Sequence, residues 1–154
     1  MNRNMKITKF FSTLYFFCNC ACAVEVSTQS KLLGYCEFVY FYNAQYLQMV
    51  NNEGAAKNLL RRSSIMTTAN FITSNENGVI SGEKIKIIRE EGLKQKKRFD
   101  VDKPFALQEA SRCDRDANPI AINIRNSDQK LWGKTFDELQ SAFFEESMKN
   151  LGMK

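Results

Sequence analysis

The chain has 154 residues, 44% of them apolar, with 22 Lys and Arg against 17 Asp and Glu and no His. That length and apolar fraction suit one domain around one core and argue against a disordered chain or a multidomain enzyme. Without an imidazole the chain also lacks Ser-His and Cys-His nucleophile pairs, His-ligated zinc and the HExxH metalloprotease site.

Residues 1 to 23 read as a cleavable secretory signal peptide. Met1 to Lys9 is short and basic, Phe10 to Phe17 is apolar except for Ser12 and Thr13, and Ala21-Cys22-Ala23 puts small residues at both recognition positions of a signal peptidase. The apolar run from Phe10 to Val24 is interrupted by Asn19 and falls short of the about 20 residues that a membrane span needs, so no transmembrane span is expected after processing. None of Cys18, Cys20 and Cys22 follows the Leu and small-residue pattern of lipid attachment. The basic start resembles a bacterial export signal, and the expected location is the periplasm or outside the cell. Arg3, Lys6 and Lys9 carry much of the charge: without residues 1 to 23 the net charge falls from +5 to +2, too little for a general attraction to nucleic acid.

The predicted mature domain, residues 24–154, retains two cysteines, Cys36 and Cys113. An even pair in an oxidising compartment predicts a disulfide. The absence of CxxC spacing makes it structural and not redox-active.

From Ser27 to Asn52, Leu32, Tyr35, Cys36, Val39, Tyr42, Tyr46, Met49 and Val50 recur at helical spacing, which predicts a long first helix. Phe38, Tyr40 and Phe41 fall off that stripe and widen the apolar arc, so the helix is either central to the bundle or a contact surface. A second helix follows Gly54, with Ala55, Ala56, Leu59, Leu60, Ser63, Met66, Ala69 and Ile72 in phase. Ser74 to Gly82 is a turn cluster, and Glu83 to Arg98 predicts a third helix whose acidic start and basic end suit the macrodipole, with Gly92 costing about 1 kcal/mol. Asp100 to Pro104 breaks the chain, and Phe105, Leu107, Ala110 and Cys113 predict a short fourth helix.

Asp114 to Pro119 reads as a polar loop. Ile120, Ile122 and Ile124 alternate like a strand, but a lone strand has no pairing partner and Asn118-Pro119 looks like a helix start, so a short helix or extended packing segment is expected. Thr135 and Glu138 form a capping box before a last helix with Phe136, Leu139, Phe143, Ser147 and Leu151 on one face, and Trp132 is expected to anchor it. The fold class is therefore all-α: a single-domain irregular bundle of four to six helices with one disulfide.

The candidate sites are sparse. Asp114, Asp116 and Asn118 match the first three ligand positions of a calcium loop, but Pro119 stands where Gly is needed and Arg125 where a bidentate Glu is needed. No cofactor motif is present. Ser81 and Lys84 fit Ser-x-x-Lys, which a capped helix start explains better. Lys94 to Arg98 reads as a solvated helix end, with anionic lipid or glycan binding as the lesser option. Glu37 and Glu109 are the carboxylates placed among apolar residues, where burial would raise the pKa for general acid work unless an arginine such as Arg61, Arg62 or Arg112 pairs with them.

Three functions fit these features. The first is an exported, non-enzymatic binding or accessory protein of the cell envelope, of the inhibitor, immunity-factor or chaperone kind, meeting another envelope protein through Phe38, Tyr40, Phe41 and Tyr42. The second is a small carboxylate-dependent hydrolase of an envelope polymer, which needs two acids about 5 to 9.5 Å apart in a cleft. The third is a carrier of an apolar ligand, which needs a cavity of about 300 Å³ or more lined by aromatics.

Overall fold

The computed structural model describes residues 26–75 and 82–153, and among them six helices. The predicted signal peptide, and Val79, Ile80 and Ser81 of the turn cluster, lie outside the described residues.

Helices α1, α2, α4 and α6 begin where a side chain satisfies a free backbone amide. Helix α1, Thr28–Met49, opens with Ser27 Oγ accepting from the Ser30 amide at 3.0 Å and ends at Asn51, which takes a left-handed conformation (φ 60°). Helix α2, Glu53–Ser74, is capped by Asn52, and Lys57 reaches back to Glu53 at 2.8 Å, one turn apart. Helix α3, Gly82–Val101, runs one turn beyond the predicted end at Arg98, to the Asp102 cap of helix α4, Lys103–Asp116. Helix α6, Phe136–Asn150, carries the predicted capping box in full: the Thr135 amide donates to Glu138 Oε2 at 2.7 Å, and the Glu138 amide to Thr135 Oγ1.

The predicted loop at 114–119 is instead helical. Helix α4 runs to Asp116 and helix α5, Asn118–Arg125, starts two residues later, with Ala117 N donating to Cys113 O and Ala121 N to Ala117 O. Ala117 and Ala121 are fully buried, so the junction packs inward through alanines while its polar residues face out. The isoleucines of α5 follow helical phase: Ile124 is buried, Ile120 one turn earlier is packed on the core, and Ile122 is exposed.

Helix α1 is the axle of an all-α single-domain bundle. It packs on α2, α3 and α4, while α2 also meets α5 and α6. The core joins Leu33, Cys36, Val39 and Tyr40 to Met66, Ala69, Phe99, Ala110 and Leu139 from the surrounding helices. Cys36 and Cys113 are bonded, with Cα atoms 5.5 Å apart and both side chains buried, so α1 and α4 are covalently joined as expected. No helix among the described residues is long and apolar enough to cross a membrane.

Two glycines set how closely α1 and α3 approach. A Cβ on Gly34 would overlap Ile88 Cγ2, and one on Gly92 would sit 2.5 Å from Phe38 Cβ. Each helix thus lends the other a notch, Ile88 resting over Gly34 and Phe38 over Gly92 one turn on. The constant sequence offset means the two helices run in the same direction.

Candidate functional site

Four helical stripes converge on one open cleft of about 440 Å³. Gly34, Glu37, Phe38 and Phe41 of α1 recur at three- and four-residue spacing and form its floor. Ser63, Thr67 and Phe71 of α2 stand on one side, and Arg89 and Leu93 of α3 on the other. Phe143, Glu146, Ser147 and Asn150 of α6 close the remaining wall. The Phe71 and Phe143 rings lie 5.1 Å apart at 53°, and Trp132 meets Phe71 at 6.3 Å, edge on.

Glu37 is the charged group set into this floor. Burial raises its carboxyl to about 7, and the Arg89 charge and the Thr67 hydroxyl, which favour ionisation, only partly offset that. Among the described residues no cation lies within ion-pair distance of it. The arginines expected to pair with Glu37 are engaged elsewhere: Arg62 with Asp114, Arg61 over the Phe144 ring, and Arg112 with Glu109 and Asp116. The Ser63 hydroxyl serves the backbone, donating to the Glu37 carbonyl at 3.2 Å, while Thr67 Oγ1, which faces the Glu37 carboxyl, also donates to the Ser63 carbonyl at 3.0 Å.

A raised folded-state pKa in an acid means that the native chain binds the proton more tightly than the unfolded one. Stability is then lost as pH rises from about 4.5 to 7 through Glu37 ionisation. Glu37→Gln is accordingly expected to raise the unfolding free energy by about 2–3 kcal/mol at about pH 8 and to change it little at about pH 4. Urea unfolding at the two values checks this, and an equal effect at both would show that Glu37 ionises as freely as an exposed carboxylate.

The other predicted site residues separate into distinct places. Glu109 is buried on α4 and fully occupied: Tyr35 Oη donates to it at 2.6 Å and Arg112 Nη1 at 3.1 Å. The Tyr35 phenol is pushed well above its ordinary value, first by its own burial and then by this carboxylate. Tyr40 is fully buried and Tyr42 nearly so, at 0% and 7% exposure, donating to Asp114 and Asp100 at 2.8 and 2.7 Å. They are core residues with a polar tip, and not the contact surface expected of them, because α1 is covered on three sides. Phe38 and Phe41 are half-buried and line the cleft.

The calcium-like positions do not converge either. Asp114 is held by Arg62 and Tyr40, Asp116 by Arg112 and Arg115, and Asn118 is already in α5. On the basic end of α3, Lys94 pairs with Glu91, Lys96 with Asp100, and Arg98 lies 3.4 Å over the Phe105 ring. Trp132, expected to anchor the last helix, is 57% exposed and meets Phe71 of α2, which in turn packs on Phe143 of α6. It occupies a tight turn closed by paired Leu131–Lys134 hydrogen bonds, where Trp132 and Gly133 both have positive φ, and Leu131 takes the buried position instead.

Sequence reading missed Thr67, Phe71, Arg89 and Phe143. Each lies on a regular stripe of its own helix, and only the packing of four helices brings the stripes together. No family model, curated protein or solved structure matches the chain.

Proposed function

We propose that this chain is an exported, non-enzymatic binding protein that seats an apolar group of its partner or ligand in the cleft between α1, α2, α3 and α6. The observation that carries this reading is the cleft itself, about 440 Å³ of space walled by Phe38, Phe41, Phe71 and Phe143 around a few polar groups. Binding sites for small organic groups span about 300 to 1,000 Å³ and combine apolar walls with a few placed polar atoms. Export rests on the basic and apolar run of residues 1 to 23, and a disulfide agrees with an oxidising compartment.

The neutral fluorescent probe N-phenyl-1-naphthylamine provides a direct test. Its emission is expected to rise with the wild-type protein and to fall by roughly tenfold in apparent affinity with Phe41→Asp and Phe143→Asp, each checked for folding by circular dichroism. Unchanged binding in both variants would move the site elsewhere.

One observation favours the hydrolase as a second reading: two carboxylates, Glu37 and Glu146, line the same cleft. Loss of polymer cleavage in both Glu37→Gln and Glu146→Gln, with probe binding retained, would replace the binding reading by a catalytic one.

A further inference from the structure

We infer that the cleft takes a ligand in which an ammonium group is joined to an apolar body, the ammonium meeting Glu37 and the body lying among the phenylalanine rings. This deepens the binding reading and rests on it. The cleft carries two carboxylates, Glu37 and Glu146, against one guanidinium, Arg89. Three other surface concavities among the described residues have neutral or positive linings: Lys96 and Lys103 against Asp100, Lys57, Arg61 and Lys149 against Glu145, and a balanced set around Arg125. The aromatic cleft is thus locally acidic in a basic chain.

Glu37 is also the group with most to gain from a cation. Its carboxyl sits in an apolar floor with no described cation at ion-pair distance, and burial already disfavours its charge. A ligand ammonium supplies a counter-charge at ion-pair distance, and hydrogen-bond donors beyond the Thr67 hydroxyl, in a site where charge-assisted hydrogen bonds are stronger than in bulk water. A ligand carboxylate would meet Glu37 and Glu146 together and be drawn only to Arg89. A neutral apolar ligand would bring Glu37 no counter-charge.

The groups facing Glu37 from the neighbouring helices are Arg89 on α3, Glu146 on α6 and the non-titrating Thr67 on α2. Protonation of Glu37 on acidification removes the carboxylate that the ammonium meets in the floor and leaves the apolar walls unchanged.

The test is calorimetric titration of the folded, oxidised protein with 4-phenylbutylamine, 4-phenylbutanol and 4-phenylbutyrate. N-acetyl-phenylalanyl-lysine amide forms a fourth arm that separates a small amine from a partner's lysine side chain. At about pH 8 the amine is expected to bind roughly tenfold more tightly than the alcohol, with the carboxylate weakest. At about pH 5 the preference is expected to collapse. Glu37→Gln is expected to abolish it at both values, while retention of the pH response in Glu146→Gln assigns that response to Glu37. Equal binding of amine and alcohol by the wild type overturns the inference and leaves the binding reading standing. Failure of all four probes overturns both, and loss of the pH response in Glu146→Gln overturns the role of Glu37.

Discussion

Removal of the Cys36–Cys113 bond is expected to lower the unfolding free energy by about 4–5 kcal/mol. The bond closes a loop spanning 77 residues, and in the chain-entropy treatment cutting a loop of that length returns to the unfolded ensemble entropy worth about this much. A domain of this size has about 5–15 kcal/mol in total, so the loss leaves a marginal fold. The Cys36→Ala/Cys113→Ala double variant should fall about as far in urea as the wild type does in a thiol reductant, because both side chains are buried and both changes remove the same cross-link. A loss below about 1 kcal/mol would show that helices α2 and α3, which the loop contains, already hold α1 and α4 together in the unfolded ensemble.

The second large effect runs against helix propensity. An exposed helical Gly→Ala change gains up to about 1 kcal/mol, and Gly54, with open space around it, is the internal control for that gain. Gly34→Ala is expected to cost about 3 kcal/mol instead, because its Cβ would overlap Ile88 and stand 3.2 Å from Asn70 Nδ2. Asn70 cannot easily yield, since its Oδ1 accepts from Ser74 Oγ, which in turn bonds Ser30 Oγ at 3.1 Å. The cost should be largely relieved in an Ile88→Ala background, so a double-mutant cycle on the pair should give a strong favourable coupling. Additive losses in that cycle would mean that α1 and α3 do not cross at Gly34.

These two sites also mark the limit of what the chain reveals before it is folded. The bond was legible because an even cysteine pair in a body expected to be exported has a simple solution, and helices were legible wherever a cap accompanied the periodicity, as at Thr135 and Glu138. Gly92, by contrast, reads only as a weak point in its own helix, since nothing local tells that Phe38 fills the space above it. The α4–α5 junction was misread because Asp114, Asp116, Asn118 and Pro119 have loop chemistry, while the buried Ala117 that continues the turn is unremarkable by itself. The wide aromatic arc of α1 was visible, but a helix packed on three sides shows the same pattern as one that presents a surface. Glu37 could be singled out as a charge within that arc; its neighbours Thr67, Phe71, Arg89 and Phe143 could not, since their meeting is tertiary.

Helix α1 has a different job on each side: Gly34 admits Ile88, Cys36 holds α4, and Glu37 floors the cleft, all within a little more than one turn. Inserting or deleting a single residue before this turn would rotate everything beyond it by about 100° relative to what precedes it. No compensating shift along the axis could then restore the notch, the sulfur bridge and the carboxyl to their separate partners at once. The rotational phase of α1 is therefore fixed by three unrelated demands, and length variation in this segment should be far less tolerated than in the connection from Asn126 to Lys134.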